Sequence, residues 1–144
     1  MLNQLLYHND LFSIFAIVGG SFLVLSIMSL IDGWYKVSRK YRRQNVTSGK
    51  LFPFAYMYLG VWKYSGAVFV RVGEEGLDIS IILPFRFLHP PLLIPWDAFD
   101  SCAKTRLYFS QCTQLTLKNP KYTFYFRGQL ANEIEKCYQQ FADK

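Results

Sequence analysis

The sequence predicts one N-terminal membrane-spanning helix followed by a mainly-β domain of about seven short strands that an amphipathic C-terminal helix closes. Three observations predict it. Residues 11–31, LFSIFAIVGGSFLVLSIMSLI, contain no charge. From residue 55 onward, apolar residues alternate with polar ones in short runs separated by Gly, Pro and Asn, the period of half-buried strands. From Gln129 onward, Leu130, Ile134, Cys137 and Phe141 recur at spacings of four, three and four, the period of one apolar helix face.

The span is argued from length. A hydrocarbon core of about 30 Å takes about 20 apolar residues at 1.5 Å each, and a helix satisfies its own backbone hydrogen bonds in lipid. Tyr7 on one side and Trp34 with Tyr35 on the other lie about 40 Å apart along a helix, the separation of the two interfacial aromatic belts. A cleavable signal peptide requires a basic n-region, and residues 1–10 hold no Lys or Arg. Leu2, Leu5 and Leu6 add an apolar turn ahead of the span. Within it, Ala16 and Gly20 form a small-xxx-small pair beside Gly19 and Ser21, a notch through which two copies of the helix can self-associate.

Charge sets the expected orientation. Of the net +6, residues 32–50 carry six bases against Asp32, whereas residues 51–144 carry ten bases against eight acids. Lys and Arg beside a span stay cytoplasmic. The expected layout is therefore a short external N-terminus (1–10), a transmembrane helix (11–31), a basic juxtamembrane helix and linker (32–50), and a cytoplasmic β domain (51–144). Trp34, Tyr35, Lys36, Arg39, Lys40, Arg42 and Arg43 form the membrane-interface set. In this reading, residues 34–44 lie along the headgroups as a helix and attract anionic lipid without headgroup specificity. Nucleic acid is excluded as a partner, because a basic binding face belongs on the folded domain and that domain is nearly neutral.

The domain reads strand by strand. Residues 55–62, AYMYLGVW, are apolar on both faces, so both must be covered. Residues 63–66 turn. Val68, Val70 and Val72 alternate with Phe69 and Arg71, and the segment 73–76, GEEG, turns again. Leu77, Ile79, Ile81 and Leu83 then alternate with Asp78 and Ser80. The segment 84–91, PFRFLHPP, is a loop, since proline donates no ladder hydrogen bond. Residues 92–95 make a short strand and 96–99 a corner. Three more alternating runs follow around Thr105, Leu107 and Phe109, around Leu115 and Leu117, and around Tyr122, Phe124 and Phe126, with Asn119-Pro120 in the last turn.

Chemistry-bearing constellations are sparse. His89 is the one histidine beyond the span; with Arg86 it shares the proline-bounded loop, where the two could hold an anion or a partner carboxylate. Trp96 follows at the corner and completes the candidate partner or ligand loop. Cys102, Cys112 and Cys137 lack C-x-x-C spacing and read as small apolar residues, and Asp97 and Asp100 read as turn caps. No phosphate loop or nucleophile elbow occurs, so no catalytic residue, metal site or cofactor is assigned.

Seven strands and a closing helix resemble a pleckstrin-homology-like or GRAM-like domain, which implies two nearly orthogonal sheets. More specifically, GWYKVSRKYR and GEEGLDISIILPFRFLHPPLLIPWDAF resemble a family of small uncharacterised bacterial single-span membrane proteins. These carry a Gly-Trp and basic collar and a Gly-Leu…Ser…Phe-Arg…His-Pro-Pro-Leu-x-Ile-Pro-Trp core; the likeness covers residues 32–99 and implies a bacterial origin, with the single span in the inner membrane. Headgroup recognition by pleckstrin-like domains uses a basic triplet on the second strand; Lys63 and Arg71 are present, but Phe69 takes the triplet's first basic place. The functional expectation is a non-catalytic interaction or scaffold module that holds a protein partner through the 84–91 loop or a sheet edge. The alternative is a small enzyme or ligand sensor built on Arg86 and His89. A buried polar pocket containing both residues favours the alternative, and an exposed apolar patch favours the module.

Overall fold

The computed structural model describes residues 2–83 and 85–144, and within the first helix the side chains of residues 9–24, 27 and 31. Expectations resting on the side chains of Leu2, Leu5, Leu6, Tyr7 and His8, and on Pro84, lie outside the described residues. Helix α1 (Leu2–Ile31) is joined by a bend at Asp32-Gly33 to the short helix α2 (Trp34–Tyr41). Seven strands follow: β1 (Lys50–Leu59), β2 (Trp62–Val72), β3 (Gly76–Ile81), β4 (Leu92–Pro95), β5 (Phe99–Leu107), β6 (Ser110–Leu117) and β7 (Thr123–Phe126). Helix α3 (Gly128–Ala142) closes the chain.

Two expectations are corrected. Among the described residues no helix is long and apolar enough to cross a membrane. The transmembrane segment, the external N-terminus and the single-pass placement in a bacterial inner membrane are set aside on that ground. The second correction concerns the sheet. All seven strands form one antiparallel sheet in the order β4-β3-β2-β1-β7-β6-β5, a half-barrel in place of two nearly orthogonal sheets.

The joint between its halves is β1. This strand pairs with β2 from Lys50↔Val72 to Leu59↔Trp62 and with β7 at Met57↔Phe126, Tyr58↔Tyr125 and Leu59↔Phe124. Its register shifts between Phe52 and Ala55 and again between Ala55 and Tyr56, with Phe54 at φ 51°. Such a bulge bends a strand and increases its twist, which lets one ladder curl. The turn after β1 falls at Gly60-Val61, earlier than the 63–66 turn expected, so Trp62 opens β2 instead of ending β1.

Alternation fills the concave face. Val68, Val70, Val72, Leu77, Ile79 and Ile81 are all buried, and Leu115, Leu117, Phe124 and Phe126 continue the layer from the other half. α3 lays Leu130, Ala131 and Ile134 on this core; Phe141, at the end of its stripe, is exposed. Trp96, in the single 3-10 turn between β4 and β5, donates its indole N–H to Gly73 O at 3.0 Å and meets the Tyr138 ring edge-on.

α2 joins the same core. Trp34 and Val37 are fully buried, so α2 packs on the sheet where the sequence placed a helix along headgroups. Trp34 is corrected from interface anchor to core residue. Arg43 is corrected as well, because its guanidinium turns inward and binds both carboxylate oxygens of the buried Asp78 at 2.6 and 2.8 Å. Tyr35, Lys36, Arg39, Lys40 and Arg42 remain exposed. The segment after α2 is tied down further by Arg43 N–H to Pro91 O at 2.8 Å and by the guanidinium of Arg71 to Thr47 O at 3.0 Å.

Candidate functional site

The polar centre of the fold grows from the Asp32-Gly33 bend. Gly33 takes φ 86°, a left-handed conformation that glycine adopts without the Cβ penalty, and it sits against the Tyr122 ring. This bend turns the Asp32 carboxylate back over the start of α2, where its Oδ1 accepts the Trp34 backbone N–H at 2.8 Å. A short Asp side chain before a helix serves this purpose well.

Oδ2 gathers two further groups. The Tyr64 hydroxyl donates to it in a short hydrogen bond, and His89 Nε2 stands 3.4 Å away. On its other side, His89 Nδ1 faces Phe85 O at 3.3 Å. The Trp34 indole N–H donates to Pro90 O at 3.0 Å. Rings pack around these contacts: Trp34 and His89 meet edge to face at 5.3 Å, Tyr64 and His89 at 5.8 Å, and Trp34 and Tyr64 lie tilted at 5.4 Å. Asp32 and His89 are both buried. Burial, then the hydrogen bond and the charge of Asp32, push the Tyr64 hydroxyl well above the usual tyrosine range, so it stays a donor.

A cavity of about 220 Å³ opens beside this cluster, bounded by Asp32, Trp62, Tyr64, Ile81, Phe85 and His89, with Lys63, Ser65 and Ala67 completing its lining. The loop residues that the sequence grouped are separated here. His89 is buried in the cluster, Arg86 is exposed on the 3-10 turn Phe85–Phe87 and does not line the cavity, and Trp96 belongs to the core beside Gly73. Asp32 and Tyr64 are the site residues that sequence reasoning missed. The available signal was Asp-Gly directly before a helical pattern, the mark of a helix start.

The exposed part of the same loop is apolar. Leu83 and Phe87 are 66% and 82% exposed, with Ile82 and Phe85 beside them. A second polar region, an open groove of about 540 Å³ between the β5–β6 hairpin and α3, holds Lys104, Arg106, Gln111 and Asn132. There Thr113 donates to Glu135 at 2.5 Å, and Lys104 stands 3.4 Å from the same carboxylate. The three thiols are free and apart, and among the described residues no group of His, Cys, Asp and Glu is placed to hold a metal ion.

No protein-family model matches the chain, and no curated protein matches it; the reading of the site rests on its geometry.

Proposed function

We propose that the protein is a non-catalytic interaction module whose half-barrel presents the 82–88 loop to a protein partner. The observation that carries this reading is the division of labour within one loop. His89 is spent inward on Asp32 and Phe85 O, and the side chains left outward are Leu83 and Phe87, with Phe85 partly exposed at the edge of the cavity. Apolar side chains clustered on an anchored loop mark contact surfaces. Arg86, exposed between the two phenylalanines, adds a cation that can steer an acidic partner. Against the enzyme alternative stands the place of Arg86, exposed and outside the cavity that His89 lines.

The same reading extends to α1. Phe12, Phe15, Ile17, Val18 and Leu23 are exposed, and a side chain added at Gly19 or Gly20 would meet nothing, which leaves the Ala16 and Gly20 notch open for a second copy.

The test is affinity capture with the tagged full-length chain against a Leu83→Ser, Phe87→Ser variant that folds normally. A stoichiometric protein retained by the wild type and lost by the variant is expected. Equal recovery by both, or no protein retained by the wild type, overturns the loop as the contact. Single cysteines at Ala16 and Gly20 test the notch separately; a chain that stays monomeric under oxidation overturns self-association there.

A further inference from the structure

We propose that the cavity beside Asp32 binds a small organic ammonium ion, a ligand class separate from the partner of the outer loop. Its size fits a fragment: about 220 Å³ is somewhat more than the roughly 150 Å³ that encloses a benzene molecule. Its walls are aromatic, with Trp62, Tyr64, Phe85 and His89 all lining it. Its charged floor is the Asp32 carboxylate, whose side chain is only 3% exposed.

What neutralises that carboxylate decides which ligand the cavity suits. Burying an ionised carboxylate is costly unless it is paired. Asp32 receives the Trp34 N–H and the Tyr64 hydroxyl, both neutral donors, and His89 Nε2 stands 3.4 Å from it. By contrast, the other buried carboxylate, Asp78, has a guanidinium on both oxygens. A carboxylate offers about four lone-pair sites, and these three contacts leave Asp32, which lines the cavity, with acceptor capacity to spare. Aromatic faces attract cations through their quadrupoles, most strongly where water is excluded. A compact ammonium therefore meets complementary charge from the floor and the walls together. An anion would face Asp32, and a neutral molecule would fill the volume without using the charge. Lys63, exposed at the rim, is an opposing cation and limits the affinity.

The experiment titrates the full-length protein with tetramethylammonium chloride at constant ionic strength, with tert-butanol as a neutral probe of similar size, following the Trp62 indole resonance. Saturable shifts with tetramethylammonium are expected, about tenfold tighter than with tert-butanol. Asp32→Asn should abolish that preference, and Lys63→Met should strengthen binding. If Asp32→Asn fails to fold, Phe85→Ala, at the edge of the cavity, should weaken tetramethylammonium binding severalfold. No saturable shift, equal affinity for both probes, or an unchanged affinity in Phe85→Ala overturns the proposal.

Discussion

Arg43 and Asp78, one just after α2 and the other in the middle of β3, form a two-point ion pair at 2.6 and 2.8 Å with the carboxylate buried. Together with Thr47, 3.5 Å from the same carboxylate, it fastens the segment before β1 to the sheet.

Removing one partner should therefore cost more than removing both. Arg43→Ala strands a buried charge and should destabilise the fold by about 3–5 kcal/mol, whereas the double change Arg43→Met, Asp78→Leu should recover most of that loss. Urea denaturation of the two variants beside the wild type measures the difference. Equal stability of the single and double variants would contradict the pairing.

Tyr64 links stability to alkaline pH. Its hydroxyl is held well above the ordinary tyrosine range by burial and by Asp32, so folding favours the protonated form. The contribution is complete below about pH 10, where an unfolded tyrosine is also protonated, and declines as pH rises beyond it. Tyr64→Phe should cost about 1.5–3 kcal/mol at pH 7, the range for a hydrogen bond to a charged group. It should also flatten the fall in stability above pH 10, as read from denaturation midpoints between pH 9 and 12.

Cys102 should be a slow thiol. Burial, then the charge of Glu135, pushes it up to about 11, two units above its ordinary value of 9.0. At pH 8 its thiolate fraction, and with it the rate of reaction with a disulfide reagent, should be about a hundredfold below that of the unfolded chain. The measurement uses a Cys112→Ser, Cys137→Ser background, and Glu135→Gln should raise the rate by lifting the smaller of the two causes. The stability tied to this thiol is present below pH 9 and lost between pH 9 and 11.

Gly76→Ala and Gly33→Ala should differ in severity. At Gly76, φ 157°, an added Cβ runs into the backbone of Ile94 and Pro95 across the β3–β4 ladder; at Gly33, φ 86°, it meets the Tyr122 ring. A side chain can swing aside and a paired strand cannot. Both should lose more than about 1 kcal/mol, with Gly76→Ala the less stable in thermal melts. The reverse order would place the rigid contact at Tyr122.

The alternation in residues 68–81 marks the inward residues of β2 and β3, because a period of two is a local property of the chain. It could not show that Asp78, drawn on the polar side of that alternation, is buried: its partner Arg43 lies 35 positions away, and charge pairing over such a separation leaves no periodic trace. Trp34 departs from its expected place at the membrane interface for the same reason. A tryptophan before a basic run is what an interfacial anchor looks like, and only the position of Pro90, which takes its indole N–H, shows that it is core. The β1–β2 turn was displaced because Gly60-Val61 interrupts an unbroken run of large apolar residues. The two-sheet expectation failed at β1, where a bulge at Phe54 lets one strand serve both halves. Of the candidate site, the 84–91 loop is visible as a proline-bounded segment, but its division into a buried His89 and exposed phenylalanines depends on Asp32, which the sequence marks only as a helix start, and on Tyr64, which carries no motif.

The central place of β1 also fixes an order of events during synthesis. Residues 50–59 leave the ribosome early and can find β2 at once, yet their other edge is completed only by residues 123–126. For the interval in which about sixty further residues are made, several seconds at ordinary elongation rates, Met57, Tyr58 and Leu59 sit on an open, apolar sheet edge. The nascent chain is thus open to mispairing in the middle of the half-barrel, at a strand end that is hydrogen-bonded on both sides in the finished protein.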